Sequence, residues 1–273
     1  MLSVIEKKEE FKGKVVISVI SPRKEVICKE TLQSVFNLDT EGFNHALLFI
    51  SDNMEGVKGD ANLCYCLSQA RKFLLENDYT YLLNVESDIV PPRYALKFLI
   101  ETMNKYKCDA VTGLVPERPS KVGTDKFIVE MEWNGNPDAS EKIRKLEPFE
   151  LQGHGGLACV LFKREVFEEL DFEHVFPCDF TFWGKFHERD FKLFCDPRVI
   201  CGHVDRDGRV IRGLGYTYIF WLTHVENNES RGLKWYYGLP YNWWWGMDKY
   251  EFFKNLREHL KLEEYHEYLW YLF

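Results

Sequence analysis

Apolar residues along this chain follow two rhythms. Short unbroken runs alternate with segments in which apolar positions recur every three or four residues. The runs cover 14–20 (KVVISVI), 45–50 (HALLFI), 81–85 (YLLNV) and 109–115 (DAVTGLV). Runs of that length bounded by polar turns predict strands covered on both faces. Segments 26–36, 62–76 and 94–106 carry the helical period; in the first, Cys28, Leu32, Val35 and Phe36 share a face. The first ninety residues therefore read strand, helix, strand, helix, strand. That alternation predicts an α/β fold with a mostly parallel, Rossmann-like sheet, right-handed crossovers and helices on both faces.

The pattern loosens in the second half. Residues 116–148 are polar and rich in turn formers, with one short strand predicted at 127–133; a stretch this long over an open sheet is expected to be either a substrate lid or simply mobile. A glycine-rich piece, LQGHGG at 151–156, leads into an apolar run at 157–162. Short helices follow at 164–170 and 176–188. Strands are predicted at 191–195 and 198–203, with Pro197 breaking them apart. Beyond Gly215 the composition shifts: six of the eight Trp lie between Trp221 and Trp270. The division predicted is one domain over 1–215 and an aromatic-rich helical extension over 216–273, with a helix at 248–260. The tail's rings suit stacking on acceptor sugars, a peripheral contact at a membrane interface, or packing as core or dimer contact.

Composition narrows the function classes. A net charge of −8 argues against a nucleic-acid partner, which needs a basic footprint. The eight Cys include no CxxC pair and mostly sit in apolar runs, which predicts buried reduced thiols and a cytoplasmic protein, peripheral at most to the inner face of a membrane. No secretory leader and no uncharged apolar run of membrane-spanning length is present. GxGxxG, GxxxxGK[ST] and GxSxG are all missing, as is a glycine-rich, Arg-bearing loop after the first strand. Dinucleotide, P-loop, serine-hydrolase and nucleotidyltransferase readings lose their support accordingly.

What remains is a row of polar groups at the predicted carboxyl ends of strands, where open α/β sheets bind ligands. Ser21, Pro22 and Arg23 close the first strand and Asp52 the second. Glu86, Ser87 and Asp88 close the third; in an extended chain residues two apart point the same way, so Glu86 and Asp88 would stand side by side. Two hard oxygen donors suit Mg²⁺ or Mn²⁺, ions that usually arrive with phosphate. The bland alternatives are a helix cap at Ser87 or Asp88, an Asx turn at Asp52 and a solvated Arg71. His203, at a strand end, is either a further metal ligand or a structural imidazole. Asp179, at a helix start, is either a general base or an N-cap. His154, between glycines that open the backbone to a ligand, is a candidate for lining the site.

Taken in order, five segments resemble the GT-A glycosyltransferases grouped in glycosyltransferase family 2. They are VVISVISPRKE, LLFISDN, SQARKFLLENDYTYLLNVESDIVPP, GHGGLACVLFKREVFEEL and DFTFWGKFHERDFKLFCDPRVICGHVD, spanning about 15–205. The resemblance implies a GT-A (nucleotide-diphospho-sugar transferase) fold. It implies transfer of a sugar from a UDP- or GDP-sugar to a hydroxyl of a glycan, lipid-linked or protein acceptor, with inversion. The donor would lie on Ser21, Pro22, Arg23, Asp52, Arg71, Glu86, Ser87 and Asp88. Asp88, the second acid of a DxD motif, would hold Mn²⁺ or Mg²⁺ with His203 and Glu86. Asp179 would be the catalytic base, and His154, Gly155, Gly156 and Trp183 would line the acceptor or sugar pocket. Glu86 stands where the family has Asp, and Cys178 where it often has Glu. These departures keep a second function open: a non-catalytic nucleotide-sugar or glycan-binding module of the same fold.

Overall fold

The computed structural model describes residues 13–21, 27–51, 60–115, 142, 145–153, 155–172, 178–204, 208 and 210–211. The strand expected at 127–133 and the tail beyond 215 lie outside them. β1 (Gly13–Ile20) is flanked in parallel by β2 (Phe43–Ile50) and β3 (Tyr81–Glu86). β5 (Ala110–Leu114) and β8 (Leu193–Ile200) pair in parallel further along the sheet. β7 (Cys159–Lys163) runs antiparallel between β3 and β5, and β6 (Phe149–Leu151) antiparallel on the far side of β8. The order is β2-β1-β3-β7-β5-β8-β6, so five of the seven strands share one direction.

Register assigns the two faces. Phe49 aligns with Val19 and Val85; Leu83, two residues before Val85, aligns with Leu161, which opposes Val111, the partner of Phe194. These side chains share a face because the period is two. Over that face lie α1 (Lys29–Phe36), through Phe36 against Phe49 at 6.0 Å, and α3 (Ala95–Tyr106), through Tyr106 stacked on Phe194 at 4.8 Å. Phe162, of opposite parity, meets Phe167 of α4 (Arg164–Glu169) and Phe182 and Trp183 of α5 (Cys178–Glu188). α2 (Asp60–Glu76) packs with α4 and α5 on that second face. The expected mixed α/β sheet with helices on both faces is thus present. Its central strands are fully buried, with Val15, Val16, Ile17, Leu82, Leu83 and Val85 at 0% exposure.

The far end of the sheet departs from expectation. Residues 191–203 do not form two strands split at Pro197; β8 runs through that proline. Asp196 pairs with Gly113, and the next ladder partner of β5 is Ile200, opposite Leu114, so residues 197–199 bulge out of register. A bulge needs no ladder N–H from Pro197, which is how a strand tolerates a proline. The bulge is held by a buried ion pair. Arg198 Nε donates to Asp196 Oδ1 at 3.0 Å and Nη2 to Oδ2 at 2.8 Å, and the Arg198 backbone N–H returns to Oδ1 at 3.0 Å. Burial disfavours the Arg198 charge, yet hydrogen bonding and charge from Asp196, aided by Glu101, raise its pKa above the ordinary arginine value. Beyond the bulge the chain forms a three-stranded sheet in the order β10-β9-β4 from β10 (Val210–Ile211), β9 (Gly202–Val204) and β4 (Ile89–Val90).

The reduced-thiol expectation holds in part. Cys28, Cys66, Cys108, Cys159, Cys195 and Cys201 are free, and all but half-buried Cys28 are buried. Cys64 is disulfide-bonded, which corrects the expectation there; sequence spacing does not show which thiols a fold brings together. Burial pushes the Cys108 thiol up to about 12 and Cys195 well above its ordinary value.

Two outcomes follow from this packing. Iodoacetamide at pH 8, read by peptide mass spectrometry on native protein, should label Cys28 and leave Cys108 and Cys195 unmodified, since the thiolate is the nucleophile; equal labelling of all three would contradict the burial. A Cβ at Gly113 would meet Val199 Cγ1 at 2.7 Å and the Val199 carbonyl oxygen at 2.8 Å. Gly113→Ala should therefore destabilise the fold by about 1–3 kcal/mol, read as a lower urea midpoint.

Candidate functional site

β3 delivers the chain to the carboxyl edge of the sheet at Glu86, and Ser87–Asp88 form a turn into β4. The turn ends the extended geometry, so the simple alternation that would set Glu86 beside Asp88 stops at Glu86. The helix-cap alternative is also excluded: α3 begins at Ala95, with Tyr94 at its N-cap. What occupies Asp88 instead is a partner from far along the chain. β4 pairs antiparallel with β9, Ile89 opposite His203 and Val90 opposite Gly202. The Val204 N–H donates to the Asp88 carbonyl at 2.7 Å, and the Cys28 N–H, just before α1, donates to the Ser87 carbonyl at 2.8 Å. Backbone on both sides thus fixes the turn. His203 Nε2 lies 3.7 Å from Asp88 Oδ2, with side-chain exposures of 10% and 17%.

That separation is too long for a good hydrogen bond. It suits two donors around one cation: ligands each about 2.1 Å from an ion stand about 3 Å apart at a right angle and further as the angle opens. A carboxylate oxygen and an imidazole nitrogen are a donor pair that Mn²⁺ accepts. Among the described residues no group of three or more His, Cys, Asp or Glu side chains is arranged to hold a metal. Such an ion would complete its shell from phosphate oxygens and water, as is usual for Mg²⁺ bound through one or two protein ligands. Glu86 is half-buried at the end of β3 and does not complete a three-residue set.

The remaining expected residues divide. Ser21 is buried at the end of β1, its N–H donating to the Ile50 carbonyl at 2.8 Å. Pro22, Arg23, Asp52 and His154 lie outside the described residues. Asp179 sits in the first turn of α5. That helix leads through residues 189–192 into the amino-edge start of β8, so its first turn is the end nearer the carboxyl edge. Asp179 Oδ1 accepts from the N–H of its neighbour Phe180 at 2.9 Å; with the helix starting at Cys178, Asp179 is inside the first turn rather than at the N-cap.

Four more of the expected residues have surroundings within the protein. Trp183 is not at a sugar pocket: it is 0% exposed, stacked on Phe162 at 5.7 Å and edge-on to Phe182 and Phe186, because α5 turns its aromatic stripe to the core. Its indole N–H has no hydrogen-bond partner among the described residues. At Gly155 an added Cβ would meet Leu193 Cδ2 at 2.9 Å, and the Gly155 carbonyl accepts from Thr112 Oγ1 at 3.0 Å. Gly156, also buried, has φ +62°, which favours glycine. Arg71 is engaged between two helices. Its Nε donates to the carbonyls of Phe167 (2.9 Å) and Leu170 (2.8 Å) at the carboxyl end of α4, and Nη1 reaches Asp171 at 3.3 Å. Arg164 reciprocates from the start of α4, donating to the carbonyls of Leu74, Leu75, Asn77 and Tyr79 at the end of α2. Each arginine satisfies the orphan carbonyls of the other's helix.

Sequence reasoning did not single out His187, whose Nε2 meets the Gly153 carbonyl at 2.8 Å and anchors the glycine-rich loop to α5. A histidine in the last turn of an amphipathic helix carries no signal of a partner 34 residues earlier. The clasp predicts that Arg71→Met lowers stability by about 1–3 kcal/mol, as loss of charged hydrogen bonds does, and leaves nucleotide affinity at the wild-type value. A large loss of nucleotide affinity at unchanged Tm would return Arg71 to the donor site.

The chain matches no protein-family profile and no curated protein sequence. Among solved structures it is similar to A197 from STIV, with 13% identity, a TM-score of 0.47, and coverage of 73% of this chain and 94% of that one. A likeness of that size supports no argument about activity.

Proposed function

We propose that this protein is a metal-dependent glycosyltransferase of GT-A type, moving a sugar from a UDP- or GDP-sugar to an acceptor hydroxyl of a glycan, lipid-linked or protein acceptor. The observation that carries the reading is the meeting of Asp88 and His203 at the carboxyl edge of a mostly parallel sheet. Asp88 and His203 would hold Mn²⁺ or Mg²⁺, whose chemistry is to neutralise the charge of a departing diphosphate. Ser21, with Pro22, Arg23 and Asp52 ahead of the next two helices, would bind and orient the nucleoside, and Glu86 and Ser87 would border the same edge. Asp179 would take the proton of the attacking hydroxyl. The bond forming is acceptor oxygen to anomeric carbon; the bond breaking is anomeric carbon to diphosphate oxygen. Attack from the face opposite the leaving group gives inversion.

A second reading has its own observation. Asp179 accepts a local backbone hydrogen bond, and no third ligand side chain joins Asp88 and His203 among the described residues. Both would equally suit a module that binds a nucleotide-sugar or glycan without turnover.

A panel of UDP- and GDP-sugars with Mn²⁺ or Mg²⁺ separates them, because slow donor hydrolysis requires no known acceptor. Transfer chemistry predicts release of nucleoside diphosphate, lost at least a hundredfold in Asp88→Asn and His203→Ala. Asp179→Asn should keep donor affinity and lose about a hundredfold or more in transfer. Binding without release supports the module, and release of pyrophosphate contradicts both.

A further inference from the structure

The Asp196–Arg198 pair stands outside the candidate site, yet it is buried and densely hydrogen-bonded. Asp196 is 0% exposed and the Arg198 side chain 13%. Besides the paired contacts between them, Thr102 Oγ1 donates to Asp196 Oδ2 at 2.6 Å, Arg198 Nη1 meets Glu101 at 3.1 Å, and the guanidinium lies 4.5 Å over the Phe98 ring. Burying a charge pair seldom raises stability over well-packed apolar residues, so its presence asks what geometry it specifies. The answer lies in where the bulge leads. Residues 197–199 are looped out between Gly113↔Asp196 and Leu114↔Ile200. Immediately afterwards the Cys201 N–H donates to the Leu114 carbonyl at 2.8 Å, and Gly202 and His203 pair with Val90 and Ile89. Were residues 197–199 taken into the ladder instead, the chain from Asp196 would reach Val90 three positions earlier, at Val199 rather than Gly202, and an odd shift turns each side chain to the other face. His203 would then no longer face Asp88.

We propose that Asp196 and Arg198 are positioning residues for the Asp88–His203 site: the ion pair locks the bulge that sets the register of β9 on β4. Thr102 anchors the pair to α3, so the register is fixed against a helix rather than left to a two-residue ladder. The role in metal binding rests on the proposed function; the role in register does not.

The test compares full-length wild type with Arg198→Met, Arg198→Lys and Thr102→Val. Amide hydrogen exchange by NMR reads the Val204 N–H against amides of β1 and β3, and electron paramagnetic resonance reads Mn²⁺ affinity. In Arg198→Met, Val204 should exchange at least tenfold faster while β1 and β3 keep wild-type protection, and Mn²⁺ should bind at least tenfold more weakly. Arg198→Lys, which keeps the charge and loses the fork, should fall between. If Arg198→Met does not fold, Thr102→Val makes the same comparison with both charges kept, at an expected loss of about threefold. Wild-type Val204 protection in a folded Arg198→Met, or loosening shared equally by β1 and β3, overturns the inference. Selective loosening of Val204 in a protein whose wild type binds no Mn²⁺ upholds the positioning role and defeats the metal reading alone.

Discussion

The site depends on a bridge two residues long. Ile89 opposite His203 and Val90 opposite Gly202 pair β4 with β9, extended by the Val204 N–H on the Asp88 carbonyl, and that join sets a carboxylate from one part of the chain against an imidazole 115 positions later in the numbering. A ladder that short has little stability of its own. It is held because each strand is tied to something larger. On the β4 side, Ser34 of α1 donates to the Pro91 carbonyl, the Asp39 N–H to the Arg93 carbonyl, and the Cys28 N–H to the Ser87 carbonyl. On the β9 side, Cys201 is bonded to β5 and the β8 bulge is clamped to α3. The sheet is the rigid body, and the bridge transmits its geometry to the turn.

Much of this was legible in the sequence, and the parts that were not have a common reason. Apolar runs read as strands, so 14–20, 45–50, 81–85 and 109–115 were recovered nearly to the residue as β1, β2, β3 and β5, although β2 lies at the sheet edge with only Ile50 buried rather than covered on both faces. Helices with one apolar face were equally plain. β7 read only as an apolar run, because nothing in CVLFK distinguishes antiparallel insertion between two parallel strands. Pro197 read as a strand break, since a proline's missing N–H is visible in sequence and a bulge that makes it harmless is not. β4 and β9 are too short to carry any period.

The candidate residues follow the same rule. Asp88 and His203 were each singled out for a place at a strand end and were joined as ligands of one ion only through the family resemblance; the pairing of β4 with β9 is what sets them side by side. Arg71 and Trp183 were singled out for chemistry that their residue types allow, but their surroundings use them differently. Arg71 lies one helical turn from Leu67 and Leu74 on the face that meets α4, where free carbonyls claim it. Trp183 belongs to the same stripe as Phe182 and Phe186, and such a stripe in a helix over a sheet is core. Glu86 was grouped with Asp88 through the period of an extended strand, and the turn at Ser87–Asp88 removes that premise. In each case what the sequence did not give was the neighbour, because one-dimensional spacing does not carry it.

The central claim is that Asp88 and His203 form one half of a cation's coordination shell, completed by a nucleoside diphosphate. The most direct measurement is a crystal structure with Mn²⁺ and UDP or GDP, using the anomalous signal of manganese. The account predicts one anomalous peak within about 2.3 Å of both Asp88 Oδ2 and His203 Nε2, with diphosphate oxygens on its remaining sides. Ordered nucleotide with no manganese at that pair, or His203 bonded to Asp88 with the ion elsewhere, would contradict it.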